Sequence, residues 1–210
     1  MITGRYTISI FILGLLFFVI SCKRSIEFDP TDLIDARDGN RYSTIRYGNQ
    51  RWMAENLNYD LNNSKLNPNN PISEYGRLYT LEQASIACPN GWHLPTDEEW
   101  QAMEQHLGMG AVELGFVGYR GGNIGRSLKS STGWLLKNGS NEFEFNVYPS
   151  GLYNDVKNAF EELSYKAYLW TATEANNHTG YYRGLTKDFD GFYRDTISRS
   201  TGLSCRCVED

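Results

Sequence analysis

One stretch constrains the fold of this chain more than any other: Ala87-Cys88-Pro89-Asn90-Gly91-Trp92-His93-Leu94-Pro95-Thr96-Asp97-Glu98-Glu99-Trp100. Pro89-Asn90-Gly91 makes a turn, because the proline ring presets φ and Gly91 tolerates the left-handed region. Thr96 and Glu99 have the spacing of a capping box. The Thr96 hydroxyl serves a backbone N–H of the first turn, and the Glu99 carboxylate reaches back to the N-cap. Asp97 and Glu98 sit where the helix dipole favours negative charge, which predicts an exposed first turn with unperturbed carboxyls. Trp100, Met103 and Leu107 follow at helical spacing, and Gly108 ends a helix running from about Asp97 to Leu107. Trp92, Thr96, Glu99 and Trp100 are therefore structural residues. The stretch specifies architecture, not a reaction.

The N-terminus carries the strongest functional signal. Arg5 precedes a run from Ile8 to Ile20 in which Ser9 is the only polar side chain and Gly14 the only break. A basic start and an apolar run too short for a comfortable span have the form of a leader. Val19-Ile20-Ser21-Cys22 resembles the lipobox of bacterial lipoproteins. That resemblance implies a signal peptide over residues 1–21, cleavage before Cys22 and lipid on Cys22; an ordinary signal peptide or a short anchor helix is the alternative. Several acyl chains on one residue anchor stably, so the expected location is the cell envelope, at the outer membrane, with the membrane held through the lipid and Lys23-Arg24 placed to touch its headgroups. Residues 22–34 then read as a tether and 35–210 as a single domain. The formal charge of −5 becomes −6 in the mature chain, because residues 1–21 hold Arg5 and no acid. No basic stripe exists to neutralise phosphates, which argues against a nucleic-acid partner.

Beyond Cys22 the cysteines are Cys88, Cys205 and Cys207. Outside the cytoplasm a pair of them is expected to bridge. Cys205 and Cys207 face the same side of a strand, so either can meet Cys88. A zinc site is the competing reading, but Cys-x-Cys with one distant Cys and no spaced His pair is poor ligand spacing. No metal and no cofactor is expected.

Arg41 to Met53 alternates as a hairpin with its turn at Gly48-Asn49. Asn58 to Pro71 is Asn-rich, with Pro68 and Pro71, and reads as an exposed loop. Thr80-Leu81-Glu82-Gln83 is a second capping box, opening a helix that ends at Pro89. Gly108 to Ser140 is rich in Gly, Ser and Asn, with Trp134 as its apolar anchor. Phe143, Phe145 and Val147 alternate as a strand, and Ala167 to Thr171 is a second. Tyr181 to Leu185 and Phe192 to Ile197 flank Asp190-Gly191 as a hairpin, and Leu203 to Val208 is the last strand. Helices early and strands late predict an α+β fold, which suits the 20 glycines and 14% aromatics.

Catalytic patterns are sparse. His93, His106 and His178 show no metal-ligand spacing, and His93 reads as structural. Asp188, Asp190 and Gly191 begin like a calcium loop, but the remaining ligands are missing and a hairpin turn accounts for them better. Glu174 closes an apolar strand; it reads as a buried carboxylate paired with Arg183 or Arg206, or as a functional acid.

Several stretches together resemble one family. Asp38-Gly39 with Tyr42, Trp52-Met53-Ala54-Glu55-Asn56-Leu57 and Tyr75-Gly76-Arg77-Leu78-Tyr79 are similar to the Fibrobacter succinogenes major paralogous domain. So are Cys88 to Thr96, Gly133-Trp134, Pro149-Ser150-Gly151, Trp170 to Glu174 and Arg206-Cys207-Val208. The family tends to have Gly where Glu144 stands and an apolar residue where Cys205 stands. The resemblance therefore implies a Cys88–Cys207 bridge with Cys205 free or an alternative partner. Gly91 to Trp100 also looks like a segment of formylglycine-generating and C-type-lectin-like folds, which implies a compact domain with two main helices against a small twisted antiparallel sheet.

The family occurs in surface and secreted proteins without a defined biochemical function. The expectation is a non-catalytic binding or adhesion module for a glycan or a surface protein, with Trp134, Tyr153, Glu174 and Arg183 as candidate contact residues. The alternatives are a formylglycine-generating-like cysteine and copper oxidase, or a structural scaffold of the envelope without a small ligand.

Overall fold

The alternation of Arg41–Met53 folds as its pattern predicts. In the computed structural model of the chain, residues 27–210 are described, with side chains from residue 32 onward. The expected leader, Cys22 and Lys23-Arg24 lie outside the described residues. Strands β1 (Glu27–Ile34), β2 (Arg41–Tyr47) and β3 (Gln50–Met53) form an antiparallel meander. The later part of the stretch expected as a tether is thus β1, an edge strand. After the Asn-rich loop come β4 (Leu78–Tyr79), α1 (Leu81–Ala87), β5 (Trp92–His93) and α2 (Asp97–His106). Both predicted capping boxes are formed: Thr80 with Gln83, and Thr96 with Glu99.

The glycine-rich middle holds two elements that its composition concealed, β6 (Gly118–Arg120) and α3 (Ile124–Leu128). A small hairpin, β7 (Leu152–Asn154) and β8 (Ala159–Glu161), precedes three long strands. These are β9 (Lys166–Glu174), β10 (Thr179–Thr186) and β11 (Phe192–Ser198). The chain ends in β12 (Leu203–Ser204) and β13 (Val208–Glu209).

Among the described residues the strands make a five-stranded sheet, β1-β2-β3-β13-β5, a six-stranded sheet, β4-β12-β9-β10-β11-β6, and the β7-β8 pair. This corrects the expected fold class. The protein is mostly β, and helices of 7, 10 and 5 residues do not make two main helices against a small sheet. Capping boxes announce where helices begin, but not how few turns follow.

Two further expectations are corrected. The segment 203–208 is two strands in different sheets, so the C-terminus stitches the sheets together. Phe143, Phe145 and Val147 do not form a strand, because Glu144 and Asn146 are left-handed, with φ of 54° and 55°. That geometry turns the carbonyls of Phe145 and Asn146 toward Arg206, which donates to both and to Asn56 Oδ1. Arg206 is fully buried with carbonyl and amide partners, and burial pulls its guanidinium down to about 9.

The core between the two large sheets centres on Trp52, Trp100 and Phe145, with the Trp52 and Trp100 rings 4.7 Å apart. A second cluster holds α1, Trp170, Tyr168, Tyr182 and the cysteines. There Cys88, the C-cap of α1, is bridged to Cys207, and Cys205 is free and buried. Constraining a loop of this length stabilises by about 4–5 kcal/mol if unstrained.

Candidate functional site

Three Tyr-Arg dipeptides, Tyr119-Arg120, Tyr182-Arg183 and Tyr193-Arg194, stand in β6, β10 and β11. Successive strand residues point to opposite faces, and these strands are neighbours in the order β10-β11-β6. The sheet therefore has an arginine face and a tyrosine face.

Helix α2 lies across the arginine face and brings Asp97 and Glu104, two turns apart on one side of the helix. Arg183 bridges them, with Nη1 2.6 Å from Asp97 Oδ1 and Nε donating to Glu104. Arg194 holds Asp97 through Nη2 at 2.7 Å and Nε at 2.9 Å. Arg120 holds Glu104 through Nη1 at 2.9 Å and Nη2 at 3.0 Å. All five side chains are buried. Burial by itself would raise the Asp97 carboxyl, but the hydrogen bonds and charges of Arg194 and Arg183 outweigh it and hold the group at about 2. The expectation of an exposed, unperturbed first turn is thus corrected for Asp97. In that acidic triplet only Glu98 is exposed.

The tyrosine face is partly open: Tyr168 and Tyr182 are buried, Tyr193 is half-buried and Tyr119 is exposed. Tyr168 on β9, Gly184 on β10, Tyr193 on β11 and Tyr119 on β6 lie directly opposite one another across the sheet. Gly184 has no side chain, and the Tyr182 ring leans over the gap. A Cβ at Gly184 would meet Tyr182 Cε2 at 3.2 Å and Tyr193 Cβ at 3.3 Å. The result is a groove of about 210 Å³ lined by Tyr119, Tyr168, Tyr182, Tyr193, Lys166 and Thr186. Its rings are in unbroken contact. The centroids of Tyr168–Tyr182, Tyr182–Tyr193 and Tyr193–Tyr119 are 5.4, 6.2 and 4.6 Å apart, and Tyr119 stacks on Phe189 at 4.6 Å.

Carboxylates flank the rings. Tyr168 donates to Glu162, which also takes Lys166 Nζ at 2.6 Å, and Tyr193 donates to Asp195 at 3.1 Å. Burial first, and these acids second, push the Tyr168 and Tyr193 phenols up. Burial and Asp195 do the same to Tyr182, and burial and Asp188 to Tyr119. All four rings are neutral at physiological pH.

The residues singled out from the sequence lie elsewhere. Trp134 is buried, its indole N–H shared between Val147 O at 3.1 Å and Ser130 Oγ at 3.2 Å. Arg183 is buried in the ion lattice, so neither side chain offers a contact face as the structure stands. Glu174 is exposed and pairs with Arg199 at 3.0 Å, which corrects the expected pairing with Arg183 or Arg206. Tyr153 lines a separate groove of about 270 Å³, with Lys65 Nζ 5.0 Å from its ring centre. His93 bridges Glu99 and Asp210, and their hydrogen bonds raise its pKa against the lowering effect of burial. Asp190 pairs with Lys137 at 2.9 Å in the β10–β11 connection. Trp92 is half-buried under the Arg51 guanidinium, while Trp100 is fully buried. The groove tyrosines were missed, although the repeated Tyr-Arg dipeptide marks three of the four, Tyr119, Tyr182 and Tyr193.

The sulfur cluster is not arranged for thiol chemistry. The Cys205 Sγ is 4.0 Å from that of Cys88, and all three sulfurs lie within 4.8 Å of one another. A thiolate displaces along the S–S axis, which would set Cys205 about 6 Å from Cys207, given a bond of about 2 Å. Burial also pushes the Cys205 thiol up to about 12, against the pull of Arg37. As bridged, the cluster offers one thiol for a metal.

The family model of the Fibrobacter succinogenes major domain matches residues 45–209. No curated protein and no solved structure matches the chain.

Proposed function

The chain belongs to the Fibrobacter succinogenes major domain family, and on that premise we propose that it is a non-catalytic binding module held at the cell envelope by an acylated Cys22. The observation that carries the binding reading is the tyrosine-lined groove. Of these large neutral rings Tyr119 is exposed and Tyr193 half-buried, on a sheet whose other face is already closed by ions and core. Such amphipathic rings are the side chains that favour recognition. The location rests on Arg5, the apolar run and Val19 to Cys22. The oxidase alternative needs a reactive cysteine pair, whereas Cys207 is consumed in the bridge and Cys205 is held protonated.

Two measurements test the proposal. Labelling cells with an alkyne fatty acid is expected to mark the wild-type chain and not Cys22→Ser; equal labelling removes the anchor from the proposal. An array of glycans and envelope proteins, probed with the detergent-solubilised protein, is expected to show binding that Gly184→Val suppresses. Binding that ignores that substitution places the contact surface elsewhere.

A further inference from the structure

Resting on the binding-module reading, we infer that the tyrosine groove takes an uncharged glycan, its sugar rings stacked on the row from Tyr168 to Tyr119 and its hydroxyls donated to Glu162 and Asp195. The row supplies the apolar half of the match. Five rings in contact cross β9, β10, β11 and β6 and run out to Tyr119 and Phe189, which are 46% and 54% exposed. A pyranose has one face of C–H groups that lies flat on such a ring and an edge of hydroxyls that projects past it. Gly184, having no side chain, lets the Tyr182 and Tyr193 rings draw together over the middle of the row.

The flanking groups decide between ligand classes. An ionised carboxylate accepts hydrogen bonds and donates none, with about four lone-pair sites. Glu162 takes one phenol and one ammonium and Asp195 one phenol and the Thr196 N–H, so each keeps acceptor capacity beside the Tyr168 and Tyr193 hydroxyls at the groove's margin. These sites call for a ligand rich in donors. A proline-rich peptide also fits aromatic grooves, but its prolines have no N–H and present only acceptors. Charge narrows the choice further. Glu162, Asp188 and Asp195 stand beside the rings with Lys166 and Lys187, and both lysines are already paired, at 2.6 Å each. The surplus is negative, which repels uronic and sulfated sugars.

The test is affinity electrophoresis of the detergent-solubilised full-length protein through gels containing a mixed-linkage glucan, xylan, mannan, polygalacturonate or polyproline. At least one neutral polysaccharide is expected to retard the protein, with affinity about tenfold weaker in Tyr119→Ala, the loss expected from one stacking ring. Asp195→Asn is expected to weaken the neutral ligand and to ease the exclusion of polygalacturonate, a change of selectivity that a merely structural role would not produce. Retardation by polygalacturonate or polyproline alone, abolished by Tyr119→Ala, overturns the uncharged-glycan inference and leaves the binding module standing. Neutral-glycan binding that both Tyr119→Ala and Gly184→Val leave untouched overturns the assignment of the glycan to this groove and places the contact surface elsewhere. A panel that retards nothing overturns this inference, and the protein array still judges the module.

Discussion

The two faces of the strands β10, β11 and β6 are built from adjacent residues and obey different rules. Arg120, Arg183 and Arg194 enter a closed lattice with Glu104 and Asp97, where every charge has an opposite partner within 3.0 Å. Tyr119, Tyr182 and Tyr193, one residue earlier in each strand, meet other rings, and Tyr193 and Tyr119 meet the solvent as well. The difference separates two tasks that a single sheet can carry. Buried ions are strongly penalised when one partner is lost, so they pin the register of α2 against the sheet. Aromatic rings on an open face tolerate change, and that face can serve a ligand.

The largest expected effect breaks the closed face. Asp97→Ala leaves Arg183 and Arg194 buried beside a missing carboxylate, and removing one partner of such a pair costs about 3–5 kcal/mol. Urea unfolding at pH 7 is expected to show the lower midpoint. A shift no larger than that of an exposed-face substitution would mean that the lattice is not what holds α2 in place.

Titration separates the faces without mutation. The Asp97 carboxyl is held at about 2 in the fold, against about 3.9 in an unfolded chain. Between those values the unfolded chain binds more protons, so stability is complete above about pH 4 and falls as pH drops toward 2, by about 2 kcal/mol. Asp97→Asn is expected to flatten that acid limb. The tyrosine face responds at the other end. Tyr182 is raised by burial and by Asp195, so its contribution is complete below the ordinary phenol value of about 10 and is lost as pH rises beyond it. Tyr182→Phe is expected to soften the alkaline limb and leave the acid limb unchanged, as read from unfolding midpoints across pH.

What was legible in the sequence was local. The capping boxes at Thr80 and Thr96, the Gly48-Asn49 turn and the β10–β11 hairpin depend on residues a few positions apart, and all are formed. Asp97 was misread because a carboxylate at a helix start is ordinarily a surface charge; only the distant Arg183 and Arg194 make it a core residue. The last strand was read as one because the insertion of β13 between β3 and β5 is a long-range pairing with no local sign. The three Tyr-Arg dipeptides are visible in the sequence, but they become a two-faced sheet only once β6 is known to sit beside β11. The Cys88–Cys207 bridge came from the family resemblance, since either of two cysteines satisfied the spacing. That resemblance also marked Glu144 as a place where relatives tend to have Gly. Its φ of 54° supplies the reason, and the side chain is exposed. Glu144→Gly is expected to raise the urea midpoint by the equivalent of about 1 kcal/mol; a fall would show that the Glu144 side chain contributes more than its backbone strain costs.

The smallest effect on stability belongs to the residue with the largest proposed effect on binding. Tyr119 is 46% exposed and sits on the edge strand, with its ring against Phe189 and Tyr193. Its truncation removes one exposed stacking contact and part of one buried face, so Tyr119→Ala is expected to cost about 1 kcal/mol or less. Arg120, the next residue, is buried between Glu104 and the Leu114 carbonyl, and Arg120→Ala is expected to cost several times as much by leaving Glu104 half-paired in the core. Measured side by side, these neighbours compare the two faces at a single point in the chain. If both substitutions destabilise equally, the tyrosine row is a structural seam and the groove loses its claim to be a surface kept for a ligand.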